Sequence, residues 1–388
     1  MKRIAVVTAT RAEYGLLSPV IRELRKSESE TFKVDLIVSG THLSDKYGMT
    51  VNEINERIDY RVPISVNSDD EKSISENQAE ALIKFTELFL AEKFNAVMLL
   101  GDRYEMMAVA IAAGNTKTPI FHLCGGDTTE GALDEWIRHS ITKISYLHFT
   151  TNEDSKRRVI QLGEDPSRVF NYGSTSIDNI ISVADMSKIE ALESVGLHDC
   201  KYALCTYHPV TMDHGCVDDQ IGEFLKAVKA FPDLCFIVTK SNADQGGARI
   251  NELLDEAKER IDNLYVFTSL GVRRYLSLMK HAEFVLGNSS SGIIETPAFG
   301  IPTVNIGDRQ RGRLQAKNIV NCGDRECDIV IAIREAFNDR FRESCKKVVS
   351  PYGDGHAAER IAKKALEVVV AGNIDLKKKF YECGDNVI

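Results

Sequence analysis

Short apolar runs alternate with amphipathic stretches along almost the whole chain. Residues 4–8, 34–38, 62–65, 96–100, 120–123, 147–150 and 169–172 are short and nearly continuously apolar, and read as buried strands. Between them, apolar positions recur at helical spacing in residues 16–25, 75–91, 105–113, 134–142 and 153–162. The pattern then restarts, with strands at 202–206, 235–238, 264–267, 284–286 and 303–306. Helices are expected there at 217–230, 247–260, 273–280, 293–299, 328–338 and 357–371. Alternation of this kind predicts parallel sheets covered by helices on both faces. Two such series predict an α/β protein of two Rossmann-like doubly wound domains, with ligands in a cleft between the strand C-termini. The expected boundaries are residues 1–175, 176–365, and a tail or helix, 366–388, packing back on the first domain. Residues 376–380 read as a solvated helix end.

Composition narrows the picture. A net charge of −9 argues against general nucleic-acid binding, which needs a basic face. No apolar run reaches the roughly 20 residues of a membrane span. The segment after Met1 reads as a first strand rather than a signal peptide, and the nine scattered cysteines contain no CxxC pair. A cytoplasmic protein with free thiols is expected. HExxH, clustered Cys/His and a GxxxxGK[ST] loop are missing, so neither a metal, a cofactor nor ATP chemistry is expected.

The most informative stretch is Phe284-Val285-Leu286-Gly287-Asn288-Ser289-Ser290-Ser291-Gly292-Ile293-Ile294-Glu295. A strand that runs into a hydroxyl-rich turn and a helix start is an anion site, because the first helical N–H groups are unpaired. Ser289 and Ser290 are placed to cap and to donate hydroxyls, and Glu295 to accept from the vicinal hydroxyls of a ribose. The competing reading is an ordinary capped helix. Gly307-Asp308-Arg309-Gln310-Arg311-Gly312-Arg313 brings guanidinium groups to the end of the next strand, which favours a phosphate plus sugar ligand.

The first series carries acids at its strand ends. Arg11 follows the first strand where a phosphate loop would lie, but GxGxxG is absent and dinucleotide binding is disfavoured. Asp102 and Arg103 end one strand, as a cleft-facing pair or a plain ion pair. Asp127, Glu130 and Asp134 crowd the loop after another; clustered with Asp102, they suit general acid–base work. Asp134 is also a good helix N-cap. His208 ends the first strand of the second series, able to act as acid, base or phosphate donor. His42 has a similar strand-end position, while His122 and His148 lie inside strands as core histidines. Asn242, within Ser241-Asn242-Ala243-Asp244, can orient a diphosphate or sugar.

Taken in order, Arg11-Ala12-Glu13-Tyr14-Gly15, Gly101-Asp102-Arg103, Gly125-Gly126-Asp127 through Asp134-Glu135, Ile137-Arg138-His139, His208-Pro209, Ser241-Asn242-Ala243-Asp244, Gly287 to Gly292 and Gly307-Asp308-Arg309-Gln310 span nearly the whole chain. Together they resemble the hydrolysing UDP-N-acetylglucosamine 2-epimerases of sialic-acid and related nonulosonate pathways. The resemblance implies a glycosyltransferase-B type fold that holds UDP mainly in the second domain. It implies nucleotide contacts from Arg11, Arg103, His208, Asn242, Ser289, Ser290, Glu295 and Arg309, and acid/base roles for Asp102, Asp127 and Asp134. It also implies a homodimer or homotetramer with UDP-sugar as substrate and UDP as product. Asp127 departs from the sialic-acid enzymes, which carry Glu there. Related epimerases of UDP-N,N'-diacetylbacillosamine (the legionaminic-acid route) show the same Asp–x–Thr–Glu–Gly pattern, so that substrate is the alternative. The remaining rivals are a UDP-sugar transferase of the same fold, a nucleotide-sugar-binding regulator and a non-hydrolysing epimerase.

Overall fold

A computed structural model describes residues 1–66, 70–129, 133–209, 217–241 and 246–383. The first sheet contains β1 (Lys2–Thr8), β2 (Phe32–Ser39), β3 (Tyr60–Val62), β4 (Ala96–Leu100), β5 (Ile120–Leu123), β6 (Leu147–Thr150) and β7 (Val169–Asn171). The second contains β8 (Tyr202–Thr206), β9 (Cys235–Thr239), β10 (Leu264–Phe267), β11 (Phe284–Gly287), β12 (Thr303–Ile306) and β13 (Ile319–Cys322). Their orders are β3-β2-β1-β4-β5-β6-β7 and β10-β9-β8-β11-β12-β13, and every pairing is parallel. Both are doubly wound α/β units, as the alternating pattern predicts. In each, chain order reverses between two neighbouring strands: β1 and β4 in the first sheet, β8 and β11 in the second. Loops leaving such a pair diverge, which opens a crevice at the strands' C-terminal ends. Residues 9–11 and 101–103 leave the first pair; 207–209 and 288–290 leave the second.

Contacts divide the chain into two compact units. One holds Met1–Asp127, Leu133–Asp178 and the chain from Tyr352 onward; the other holds Thr128–Ala132 and Asn179–Pro351. The return to the first unit thus comes at Tyr352, ahead of the expected residue 366, and brings the whole helix Ala357–Ala371 with it. Its Ile361, Ala365 and Val369, one face at spacing four, share a core with Leu17, Val20, Ile21 and Leu24 of the helix Arg11–Arg25. Asp178 caps the arriving helix, accepting from Ala357 N at 3.2 Å and Ala358 N at 2.8 Å.

Some local expectations need correction. The strand expected at 62–65 lies at Tyr60–Val62, because Pro63 cannot donate to a ladder. β13 has no expected counterpart: its pattern is half-exposed and polar at Asn321, as suits an edge strand. Residues 376–380 are not helical, and the Lys378 side chain is only 22% exposed because it docks on Glu164. No helix among the described residues is long and apolar enough to cross a membrane.

Candidate active site

In the first unit, the ends of β4 and β5 are joined by one buried arginine. Arg138, 1% exposed on the helix Asp134–Ile144, donates from Nε to Asp102 Oδ2 at 3.0 Å and from Nη2 to the same oxygen. Its Nη1 reaches the Asp127 carbonyl at 2.8 Å and Glu135 Oε2 at 3.0 Å. Burial works against this guanidinium's charge, but Asp102 and Asp127 more than reverse the effect, and its pKa is raised. Arg138 belongs to a motif quoted above yet carried no assigned role. The available signal was a charge sharing a helical face with the buried Ile141 and Thr142.

Asp127 is buried in the loop after β5, where the backbone turns through left-handed conformations at Cys124 (φ 63°) and Gly126 (φ 79°). Its Oδ1 accepts from Thr151 Oγ1 and Ser155 Oγ. Asp134 is the first residue of its helix, not the cap expected: Leu133 holds the N-cap position and makes no side-chain cap. Glu130 lies outside the described residues.

At the end of β1, Thr10 and Glu13 form a capping box that starts the helix Arg11–Arg25, placing Arg11 at its first position. Glu13 Oε2 accepts from Ala9 N and Thr10 N at 2.7 and 3.1 Å; burial, with Glu105 beside it, pushes its carboxyl up to about 8. Arg103 leaves β4 at the N-cap position of the helix Tyr104–Asn115 and donates from Nε to Glu105 Oε2 at 3.3 Å. His42 is buried between Thr8 and Thr50, with burial lowering its pKa to about 4. His122 faces the Gly101 carbonyl at 2.9 Å and is lowered by burial to about 3, so it is a neutral core residue. His148 pairs with Glu164 at 3.0 Å.

In the second unit, Asn288 staples the ends of β8 and β11. Its Oδ1 accepts from His208 N at 2.7 Å and its Nδ2 donates to His208 O at 2.8 Å. The His208 ring then lies with Nδ1 3.1 Å from Ser241 Oγ. Arg309 and Gln310 reach the Asn288 carbonyl at 3.2 and 2.8 Å, so the loop after β12 is tied to the same point. Asn288 and Gln310 had no assigned role; both lie in the quoted motifs, but a stapling amide has no spacing signature. Asn242 lies outside the described residues.

The single helix expected at 293–299 is two one-turn pieces, Ser291–Ile294 and Thr296–Phe299. Pro297 has no N–H to continue the ladder, so the segment breaks at Glu295. One-turn pieces carry little helix dipole, and the N–H groups of Gly292 to Glu295 are taken up by the carbonyls of Ser289, Ser290 and Ser291. Ser290 holds the N-cap position without a side-chain cap. Ser289 Oγ accepts from Ser291 N at 3.4 Å and Ser291 Oγ at 3.1 Å, and Tyr275 Oη lies 2.6 Å from Ser291 Oγ. Glu295 keeps some exposed surface, yet its Oε2 is shut off from solvent with no hydrogen-bond partner, and burial pushes the carboxyl up to about 8. An orphaned buried acceptor beside a hydroxyl-lined turn suits a ligand that brings hydroxyl donors.

Residues 23–366 match the family model described as UDP-N-acetylglucosamine 2-epimerase. A Campylobacter jejuni GDP/UDP-N,N'-diacetylbacillosamine 2-epimerase (hydrolyzing) is 37% identical, over 98% of this chain and 99% of its own length. A Legionella pneumophila UDP-N,N'-diacetylbacillosamine 2-epimerase (hydrolyzing) is 34% identical, over 93% and 94%. The crystal structure of a UDP-GlcNAc 2-epimerase from Neisseria meningitidis bound to UDP-GlcNAc superposes with a TM-score of 0.80 at 21% identity, covering 95% of this chain and 100% of that one.

Proposed function

The chain belongs to the UDP-N-acetylglucosamine 2-epimerase family, and from that premise we propose that it is a hydrolysing enzyme acting on UDP-N,N'-diacetylbacillosamine. The substrate assignment is supported by the two full-length relatives of that activity and by Asp127 in an Asp-Thr-Thr-Glu-Gly loop. UDP-N-acetylglucosamine is the second reading, favoured by the family description itself.

The observation that carries a catalytic role is the Arg138 fork, which holds the Asp102 carboxylate and the Asp127 main chain together. A base takes the proton from sugar C2 as the C1–O bond to UDP breaks, giving a 2-acetamidoglycal. Water then adds at C1 while a proton returns to C2 on the opposite face, and the manno-configured sugar and UDP are released. Asp102, Asp127 and Asp134 serve as acid/base carboxylates. The departing diphosphate meets Arg11, Arg103, Arg309, His208, Asn242, Ser289 and Ser290. Glu295 accepts from the ribose hydroxyls. No cofactor is called for, since elimination of UDP and a proton followed by addition of water brings no net change of oxidation state.

The test is proton NMR in D2O with each UDP-sugar separately. Release of UDP and the manno sugar carrying deuterium at C2 supports the elimination route, and the faster substrate settles the C4 and C6 preference. UDP-dependent transfer only in the presence of an acceptor would refute the epimerase reading.

A further inference from the structure

We propose that Thr151 and Ser155 are positioning residues for Asp127: a hydroxyl clamp that fixes the plane of its carboxylate. The inference rests on the acid/base reading of Asp127 given above. Asp127 is 7% exposed, and its Oδ1 accepts from Thr151 Oγ1 at 2.5 Å and from Ser155 Oγ at 2.7 Å. Asn152 ties both residues, the first through its hydroxyl and the second through its backbone N–H. Asn152 Nδ2 donates to Thr151 Oγ1 at 3.0 Å, which occupies an acceptor site of that hydroxyl and leaves its proton for Asp127. Asn152 Oδ1 accepts from Ser155 N at 2.9 Å as the cap of the helix Glu153–Gln161.

The backbone of the acid is equally constrained. A Cβ on Gly126 would lie 2.2 Å from Ser155 O, so the loop rests directly on the clamp's helix. Arg158 donates to the Gly126 carbonyl, and Arg138 to the Asp127 carbonyl at 2.8 Å. With its main chain held at both ends, the aspartate carboxyl has one short lever, and the clamp sits at the end of it. A glutamate here would carry its carboxyl past both hydroxyls. The clamp therefore matches the shorter acid of this chain. Two O–H donors on one carboxylate oxygen hold the group against rotation about its Cβ–Cγ bond. Removing either lets the carboxylate turn away from the proton it handles, which lowers kcat without weakening the hold on UDP.

The experiment measures kcat and KM with UDP-N,N'-diacetylbacillosamine for wild type, Thr151→Val, Thr151→Ser, Ser155→Ala and Asp127→Asn, with UDP affinity measured in parallel. For Thr151→Val and Ser155→Ala the expected result is a kcat lower by about 10- to 100-fold, a size usual for a mispositioned proton-transfer group. KM and UDP affinity stay near wild type. Thr151→Ser, which keeps the hydroxyl, restores kcat toward wild type. A wild-type kcat in the folded Thr151→Val and Ser155→Ala variants would overturn the clamp while leaving Asp127 catalytic, provided Asp127→Asn is inactive. Full turnover by Asp127→Asn would overturn the acid/base reading and the clamp with it.

Discussion

Arg138 and Asp102 lie 36 positions apart in sequence and meet through two N–H groups on a single carboxylate oxygen, Oδ2. A lysine cannot reproduce this, because its ammonium is a point donor without a planar fork. Arg138→Lys is expected to lower kcat by roughly 100-fold or more, since a misplaced catalytic group can cost that much. It leaves the UDP affinity of the second unit near wild type. Arg138→Met takes the guanidinium fork away from Asp102 and is expected to destabilise the fold by about 3–5 kcal/mol. Steady-state kinetics, UDP titration calorimetry and thermal unfolding check the three effects separately.

The difference between what the chain pattern announced and what it concealed follows from how each feature is made. Strands such as β1 and β4 are buried on both faces, so they are nearly continuously apolar and visible as runs. The switch-point loops were legible because Arg11, Asp102 and His208 are polar residues where an apolar run stops. The fork of Arg138 and the staple of Asn288 join residues that only the folded topology brings together; their partners carry no local spacing. Pro297 was readable as a helix breaker and should have divided the expected 293–299 helix.

Glu295 makes a pH-dependent prediction with a definite sign. Its carboxyl is pushed from 4.5 up to about 8 in the fold, so between these values the unfolded chain ionises there while the native one stays protonated. Wild type accordingly loses stability at this residue as pH rises from 4.5 to 8. Glu295→Gln removes that slope: its melting temperature should match wild type near pH 4.5 and exceed it at pH 8. Measured above pH 8, where Glu295 is ionised, the same variant should bind UDP about 10-fold or more weakly, because a charge-assisted hydrogen bond to ribose, worth about 1.5–3 kcal/mol, becomes a neutral one. Unaltered UDP affinity would remove Glu295 from the ribose site.

Gly287 closes β11 against the end of β8. Its φ is 135°, and a Cβ there would lie 2.0 Å from Thr206 O, which belongs to a backbone that cannot swing aside. Gly287→Ala combines this clash with a conformation that costs a non-glycine residue about 1–3 kcal/mol by itself. The expected result is a strongly lowered melting temperature together with loss of UDP binding, because the same turn carries Asn288, Ser289 and Ser290. Gly222→Ala, with open space around its Cβ, is the control and should leave both unchanged.

The last prediction concerns the chain's end. Lys378 Nζ donates to Ser145 O at 2.7 Å, to Lys143 O at 2.9 Å and to Glu164 Oε2 at 2.5 Å, while Glu164 also pairs with His148 and Lys143. Phe380 packs on Gly163, where a Cβ would come within 2.4 Å of the ring, and Tyr381 N donates to Gly163 O at 2.9 Å. The tail is thus a strap over the helix that follows β6. Burial alone would raise the Glu164 carboxyl, but His148, Lys143 and Lys378 reverse this and hold it near 2, below its usual 4.5. A depressed carboxylate adds stability above pH 4.5 and loses it as pH falls toward 2. Lys378→Met removes one of the two lysine partners of Glu164, so the acid-unfolding midpoint followed by circular dichroism should move to higher pH. Stability at pH 7 should fall by about 1.5–3 kcal/mol, the range for a hydrogen bond to a charged group. An unmoved acid midpoint would show that His148 and Lys143 suffice and that the strap holds by Phe380 alone.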